Sequence, residues 1–430
     1  MRILSFTGGA GEMYCGSCLR DNALAAALLA RGHDVVLTPV YTPTRTDERN
    51  VSRAQVFFGG ISVFLEQQVP LFRRSPWIFD RLWDAPWVIR LASKRQIKVN
   101  PQALGEMTVS MLKGEQGFQA KEIAKLLEWL HREPRFDVIN LPYALLLGLA
   151  EPLKREIGTP ICCTLQGEDL FLDGLGEPYR EQSMALIRGA SRHVDAFLPV
   201  SQYYLDYMPD YLGIPHEKMY FVPLGINMHG FTPRAPRNDD VFTIGYLARI
   251  APEKGLHALC EAYRELRRMP GMGRSRLVTA GYLPPEHRPY LDEIRKKLRE
   301  WGLEQEFDYR GEVDRGQKVA FLQGLDVFSV PATYEEPKGM FLLEALACGV
   351  PVVQPRRGAF PEIVNNTGGG LIVEAGDPAA LAAAFLDLHK HPEKAAALGA
   401  AGARGVREHY DLGRMADAVE RVYATVAELN

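Results

Sequence analysis

Two doubly wound, Rossmann-like α/β domains facing a central cleft are predicted for this chain, on three observations. At 430 residues it is too long for one ordinary core. Short, continuous apolar runs alternate with amphipathic helical patterns from end to end, as in parallel sheets covered on both faces. Near the middle, the stretch from Pro223 to Asn238 concentrates Pro and Gly ahead of a fresh strand at Val241. The organisation that follows is an N-terminal domain over 1–222, a linker over 223–240, a C-terminal domain over 241–408, and a last helix over 409–430 placed to cross back to the first domain. In such pairs, ligands bind at the carboxyl ends of the strands.

Strands of the first domain are expected at Arg2–Phe6, Val35–Val40, Asp137–Leu141, Ile161–Leu165, Phe197–Val200 and Tyr220–Pro223. Those of the second are expected at Phe242–Leu247, Leu277–Ala280, Asp326–Val330 and Val352–Gln354. Asn100-Pro101 and Asp377-Pro378 each read as an N-cap followed by Pro in the first helical position, and Gly32 as the stop of the helix ending at Arg31. Residues 56–115 break the rhythm, with three Trp, several Phe and a basic end before Asn100. Two readings stay open there. The aromatics form a local core, or they make an acceptor pocket or a weak peripheral membrane patch.

Composition excludes several classes. A net charge of -3 argues against a nucleic-acid binder that relies on bulk positive charge. No apolar run approaches the ~20 residues that span a bilayer. MRILSFTGGAG lacks a basic region followed by a long apolar stretch, so no signal peptide is expected, and six cysteines fit a reducing cytoplasm better than a disulfide scaffold. Cys15-Gly-Ser-Cys18 is a weak redox or metal signal, without a second CxxC or a ligand-spaced His.

The chemistry concentrates in Glu335-Glu-Pro-Lys-Gly-Met-Phe-Leu-Leu-Glu-Ala-Leu-Ala-Cys-Gly349, which sets Glu336 and Glu344 among apolar residues. A buried carboxylate needs a partner. Strand Asp326–Val330, a loop to Lys338 and a helix opening at Gly339 make an anion site, with Met340 and Phe341 offering backbone N–H groups. Glu344 is then placed to accept from the hydroxyls of a ribose, and Glu336 to meet a second sugar; the ligand that fits is a nucleotide sugar. Two plainer readings stand beside this one: Thr333-Tyr-Glu-Glu336 matches a capping box, and Glu344 pairs internally with an Arg or Lys. In the loop after Phe242–Leu247, Arg249 and Lys254 could neutralise a diphosphate, or be ordinary solvated cations.

Together these residues resemble the retaining glycosyltransferases of the two-domain GT-B fold, specifically family four. Gly245-Tyr-Leu-Ala-Arg249-Ile-Ala-Pro-Glu-Lys254-Gly255 is similar to that family's Arg/Lys loop, and Glu336 to Gly349 to its paired-glutamate signature. Gly358-Ala-Phe-Pro-Glu362 and Gly369-Gly370-Leu-Ile-Val continue it in order. The resemblance implies that Arg249 and Lys254 bind the donor diphosphate, Glu344 the ribose, and Glu336 the donor sugar near its reacting carbon. It gives Gly339, Met340 and Phe341 backbone roles and leaves Glu362 a helix-start acid. In the first domain the glycine-loop position falls on Cys15-Gly16, so Gly16 is a donor-side residue. Gln166 and Asn140 stand where that family commonly has His, and are the acceptor-side candidates. Gly9-Ala-Gly11-Glu-Met-Tyr14 does not complete GxGxxG, which counts against a nicotinamide site.

The reaction implied is transfer from a UDP-, GDP- or ADP-sugar to a hydroxyl of a glycan, lipid or small sugar, with no cofactor and no metal, by front-face substitution with retention. Two alternatives are a nucleotide-sugar-binding protein without transferase activity, and a sugar epimerase or phosphorylase on the same fold.

Overall fold

The computed structural model describes residues 1–9, 13–59, 67, 101–235 and 240–428. The chain divides into two compact units: Met1–Val200 with Tyr204–Val222 and Ala416–Asn430, and Ser201–Tyr203 with Pro223–Met415. Most of the aromatic stretch, together with Asn100, Gly11 and Glu12, lies outside the described residues.

The first unit is built on five parallel strands: β1 (Arg2–Thr7), β2 (Asp34–Pro39), β3 (Val138–Leu141), β4 (Ile161–Leu165) and β5 (Ala196–Pro199), in the order β2-β1-β3-β4-β5. All but the first residues of β1 and β2 are buried, which is why these runs are continuously apolar rather than alternating. Helices cover the faces. Ala120–Arg132 shows the rule, burying Ile123, Leu126, Leu127 and Leu130 at helical spacing. The last helix, Leu412–Glu428, is counted with this unit from Ala416 onward. There Arg31 bonds Asp417 at 2.6 Å and Glu420 at 2.7 Å.

The second unit carries six parallel strands: β6 (Phe242–Leu247), β7 (Ser275–Ala280), β8 (Phe307–Tyr309), β9 (Val327–Phe328), β10 (Val352–Pro355) and β11 (Gly370–Val373), in the order β11-β10-β9-β6-β7-β8. The order reverses between β6 and β9 here, and between β1 and β3 in the first unit. Ligands of doubly wound sheets bind beyond the carboxyl ends of the strands at these switch points.

Three elements differ from expectation. Tyr220–Pro223 is not a strand, although Tyr220 and Val222 donate to Phe197 and Pro199 of β5 at 2.8 and 3.2 Å. Pro199 has no N–H to return a bond, so the ladder does not close. β8 escaped the apolar-run criterion because it is a three-residue edge with its middle residue exposed. β11 opens on Gly370, a poor strand former, and its residues are only half-buried. Asp377 does cap its helix, accepting from Ala380 N–H at 2.9 Å, and Gly32 takes the left-handed φ of +87° that ends the first helix.

Candidate active site

In the second unit the loops after β6 and β9 are stitched together by their backbones. Gly255, φ +74°, comes so close to Pro331 that a Cβ would lie 1.9 Å from the Pro331 carbonyl oxygen. Thr333 donates its N–H to Glu253 O at 2.9 Å and its hydroxyl to the same oxygen at 3.3 Å. The Thr333 hydroxyl is therefore spent on the neighbouring loop, and the capping box does not form. The loop after β10 joins from the other side: Ala359 N–H donates to Glu336 O at 2.8 Å, and Gly358, φ +47°, leaves no room for a Cβ, which would be 2.3 Å from that oxygen.

These contacts fix Glu336, which is only 3% exposed. Lys254 Nζ donates to its Oε2 at 2.5 Å, and the Tyr334 hydroxyl donates to the same oxygen. Oε1 faces the N–H groups of Lys338 and Gly339 at 3.3 and 3.4 Å. Burial alone would raise the pKa of this carboxyl, but the charge and direct bond of Lys254, the Tyr334 bond and the charge of Lys338 outweigh it and bring the pKa down to about 2. Glu336 is thus a permanently ionised group with its oxygens engaged, unsuited to carry protons. Lys254 also lies 4.8 Å from the centre of the Tyr334 ring and 5.6 Å from that of Phe341.

Met340–Ala347 forms the helix behind this loop, with Gly339 at φ +63° as its cap. The first intrahelical bond runs from Leu342 N–H to Gly339 O at 2.9 Å, so the N–H groups of Met340 and Phe341 precede the ladder and have no partner among the described residues. A Cβ on Gly339 would meet Ile363 at 2.8 Å, so the glycine is required first by its own backbone and by that side chain. The helix is not buried all round, since Met340, Phe341 and Glu344 share a half-buried face. Glu344 has an internal partner: Lys318 Nζ bonds Oε1 at 2.5 Å, with side-chain exposures of 9% and 12%. No described residue bonds its Oε2. Arg249 pairs with Glu253 at 2.5 Å on the more exposed side of the site. Glu362 lies in the first turn of the helix Phe360–Thr367, as a helix-start acid does, and also accepts from the N–H groups of Gln202 and Tyr203 at 3.1 and 2.9 Å.

Of the residues singled out in this unit, the structure therefore brings together Lys254, Glu336, Gly339, Met340 and Phe341. Tyr334, Glu335 and Gly358 stood in quoted motifs without a role of their own, and Lys318 was missed. Glu335 is bound by Arg357 at 2.7 Å and by Gly358 N–H at 2.5 Å. Tyr334 sits inside a quoted motif but adjoins two acids, which masked it. Lys318 comes from a different segment, and sequence offers no signal for that pairing.

The first unit holds a cavity of about 480 Å³, lined among others by Ser17 at the start of the helix Gly16–Ala30 and by Tyr41, Tyr143 and Gln166 from the loops after β2, β3 and β4. Gln166 is 3% exposed and donates through Nε2 to Pro142 O at 2.9 Å and, at 3.4 Å, to Asp21 Oδ1. Glu168 pins the rim: Oε1 accepts from Ala144 N–H at 2.9 Å, and Oε2 from Gln166 and Gly167 N–H at 2.7 and 2.9 Å. Asn140 lies elsewhere. It is buried in β3, accepts from the Thr164 hydroxyl at 3.2 Å, and is not among the residues that line the cavity. Gly16 opens the helix Gly16–Ala30 after the Cys15 cap. The neighbouring Cys15 and burial push the Cys18 thiol upward, so it is not a reactive thiolate.

Two doubly wound units, with a cation–carboxylate cluster and free helix N–H groups at the switch point of the second, define a glycosyltransferase of the GT-B fold. Sucrose-phosphate synthase from Thermosynechococcus elongatus superposes with a TM-score of 0.74 at 18% identity, over 100% of both chains. HepE from Anabaena, solved in complex with UDP, gives 0.70 at 17% over 99% of this chain and 100% of that one. The family described as "Glycosyl transferases group 1" matches residues 231–405, and "Glycosyl transferase 4-like domain" matches 22–225. Among relatives, a GDP-mannose-dependent alpha-(1-6)-phosphatidylinositol monomannoside mannosyltransferase of Mycolicibacterium smegmatis is 27% identical over 296 residues, 65% of this chain and 74% of that protein. The putative colanic acid biosynthesis glycosyltransferase WcaL of Escherichia coli is 30% identical over 255 residues, 56% and 59% respectively. The chain belongs to the group 1 glycosyltransferases.

Proposed function

We propose that this protein transfers a sugar from a nucleotide-diphosphate sugar to a hydroxyl acceptor, with retention and without a metal. The observation that carries the reading is the Lys254–Tyr334–Glu336 cluster beside the open N–H groups of Met340 and Phe341. Lys254 spends two of its three N–H groups there and Arg249 one edge of its guanidinium, which leaves donors on both for a diphosphate. Negative charge that develops on the leaving phosphate meets these cations and the helix terminus. In the step envisaged, the bond from the anomeric carbon to the phosphate oxygen breaks as the acceptor oxygen bonds that carbon on the same face. The acceptor proton passes to the departing phosphate. Glu336, ionised and held, stays an electrostatic group near the developing ring cation. The nucleotide donor of the mannosyltransferase relative and the UDP complex of HepE support the donor class. Action on the cytoplasmic side, where nucleotide sugars are made, belongs to the same proposal, as does a weak peripheral membrane contact.

The test is a thermal-shift panel of UDP, GDP, ADP and their sugars, with and without EDTA. A nucleotide at 100 times its dissociation constant is expected to stabilise the fold by ~2.7 kcal/mol, unchanged by chelation. A donor so identified is then incubated with acceptors and the product linkage read by NMR. An inverted linkage sinks retention; binding without hydrolysis or transfer returns the chain to a nucleotide-sugar-binding protein.

A further inference from the structure

The cavity of the first unit has chemistry of its own. One face of the helix Pro101–Leu112 presents Leu104, Met107 and Met111 to it at helical spacing, and Leu145 and Phe171 complete the wall. Leu104, Met107, Leu145 and Phe171 are each half-buried. Tyr41 and Tyr143 meet at the loop after β1, where Tyr41 N–H donates to Gly8 O at 3.1 Å and the Tyr143 hydroxyl would lie only 3.1 Å from a Cβ on Gly8; Gln166 joins them from the loop after β4. Thr108 interrupts the helical wall, with its hydroxyl donated to Leu104 O at 2.8 Å. At about 480 Å³ the space is within the range of ligand sites.

We propose that the acceptor is amphiphilic: its hydroxyl-bearing head lies at the Tyr41–Tyr143–Gln166 end, and an alkyl or aromatic body fills the wall of Leu104, Met107, Met111, Leu145 and Phe171. The name acceptor rests on the transferase reading above; the binding claim does not. A purely carbohydrate occupant would set most of its hydroxyls against Leu104, Met107, Met111, Leu145 and Phe171, which offer them no side-chain partner, and Thr108 already donates its hydroxyl to Leu104 O, which is costly for such a ligand. An apolar body instead gains from every methylene removed from water.

The experiment measures binding of methyl, butyl, hexyl and octyl β-D-glucosides by calorimetry, below their micellar concentrations and without donor. Affinity is expected to rise about fourfold per methylene, the equivalent of ~0.8 kcal/mol, until the cavity is full. Met107→Trp, which fills the space from a half-buried position, is expected to flatten that slope, with melting temperature and nucleoside-diphosphate binding confirming a folded chain. Affinity that does not change from methyl to octyl in the parent overturns the proposal, as does an undiminished slope in the folded variant. Dodecyl glucoside in phosphatidylcholine vesicles separates the two sources of such a ligand: a plateau at octyl assigns a free acceptor with a compact body, and tighter capture at the vesicle surface a membrane-borne one. Transfer to methyl glucoside with no chain-length effect on binding sinks this inference and leaves the transferase reading standing; chain-dependent binding with no transfer from any nucleotide sugar does the reverse.

Discussion

Lys254 Nζ lies 2.5 Å from Glu336 Oε2, joining the loops after β6 and β9 through one ion pair whose carboxylate is almost fully buried. Removing the cation leaves that charge without its main partner. Lys254→Ala is therefore expected to cost about 3 kcal/mol in urea unfolding. The double variant Lys254→Met, Glu336→Gln is expected to recover most of that loss, because no charge is then stranded. Glu336→Gln alone is expected to lower turnover more than nucleotide affinity. A double variant as unstable as Lys254→Ala would show that packing, not charge, holds the loops.

The same pair sets a pH dependence. A carboxyl held at about 2 in the folded chain, against an ordinary 4.5, takes up its proton more readily when unfolded. Its contribution is fully present above 4.5 and is lost as pH falls through about 2; the gap corresponds to about 3 kcal/mol. Burial raises Asp21, Glu168 and Asp169 and so acts in the opposite sense. Stability of the parent minus that of Glu336→Gln cancels those groups. This difference is expected to shrink by about 3 kcal/mol between pH 5 and 2, and a flat difference would remove the ion pair from the acid response.

Glycines at the loop junctions offer a test with an internal control. Gly255→Ala places a Cβ 1.9 Å from Pro331 O, and Gly358→Ala one 2.3 Å from Glu336 O, both on backbone that cannot yield easily. Gly376 has a similar φ of +76° but nothing within 4 Å, so its alanine variant carries only the left-handed penalty of about 1–2 kcal/mol. The two junction variants are expected to lose about 3 kcal/mol or more. Equal losses at all three positions would mean the loops part without cost.

Much of this architecture was legible because buried parallel strands write themselves as apolar runs: β1, β4 and β6 could be read to within a residue. The short edge β8 and the glycine-led β11 could not, since neither is continuously apolar. At the site, residues within one strand–loop–helix segment were readable from spacing. Lys318, 26 positions from Glu344, was not, because a pairing across elements leaves no local pattern. Asn140 was singled out by the resemblance alone, at a position where that family commonly has His, and what the sequence could not show is that the neighbouring strand supplies it a partner in Thr164.

Glu168 is expected to matter for the rim of the first unit's cavity rather than for chemistry. Its carboxylate accepts three backbone N–H groups from two loops. Glu168→Ala strands all three and is expected to cost about 3 kcal/mol, with weaker alkyl glucoside binding as the loops relax. Glu168→Gln keeps one accepting oxygen and should lose about half as much. Identical stability for the two variants would assign the loop geometry to packing.

The pairing of Lys318 with Glu344 turns the ribose assignment into a sharper experiment. Lys318 holds one oxygen at 2.5 Å, which leaves the other open to accept; if that acceptor meets a ribose hydroxyl, Lys318 is a positioning residue for Glu344. A hydrogen bond to a charged group is worth about 1.5–3 kcal/mol, so Glu344→Ala is expected to weaken binding of the preferred nucleoside diphosphate by at least tenfold. It is also expected to erase the preference for that nucleotide over its 2′,3′-dideoxy form. Lys318→Met should weaken binding by a smaller factor and reduce the same preference, and Lys318→Arg should restore most of it. A purely structural role for Lys318 would lower the melting temperature of Lys318→Met without touching ribose discrimination. Equal nucleotide affinity in Glu344→Ala and the parent would leave the pair as an internal salt bridge and move the ribose elsewhere on the second unit.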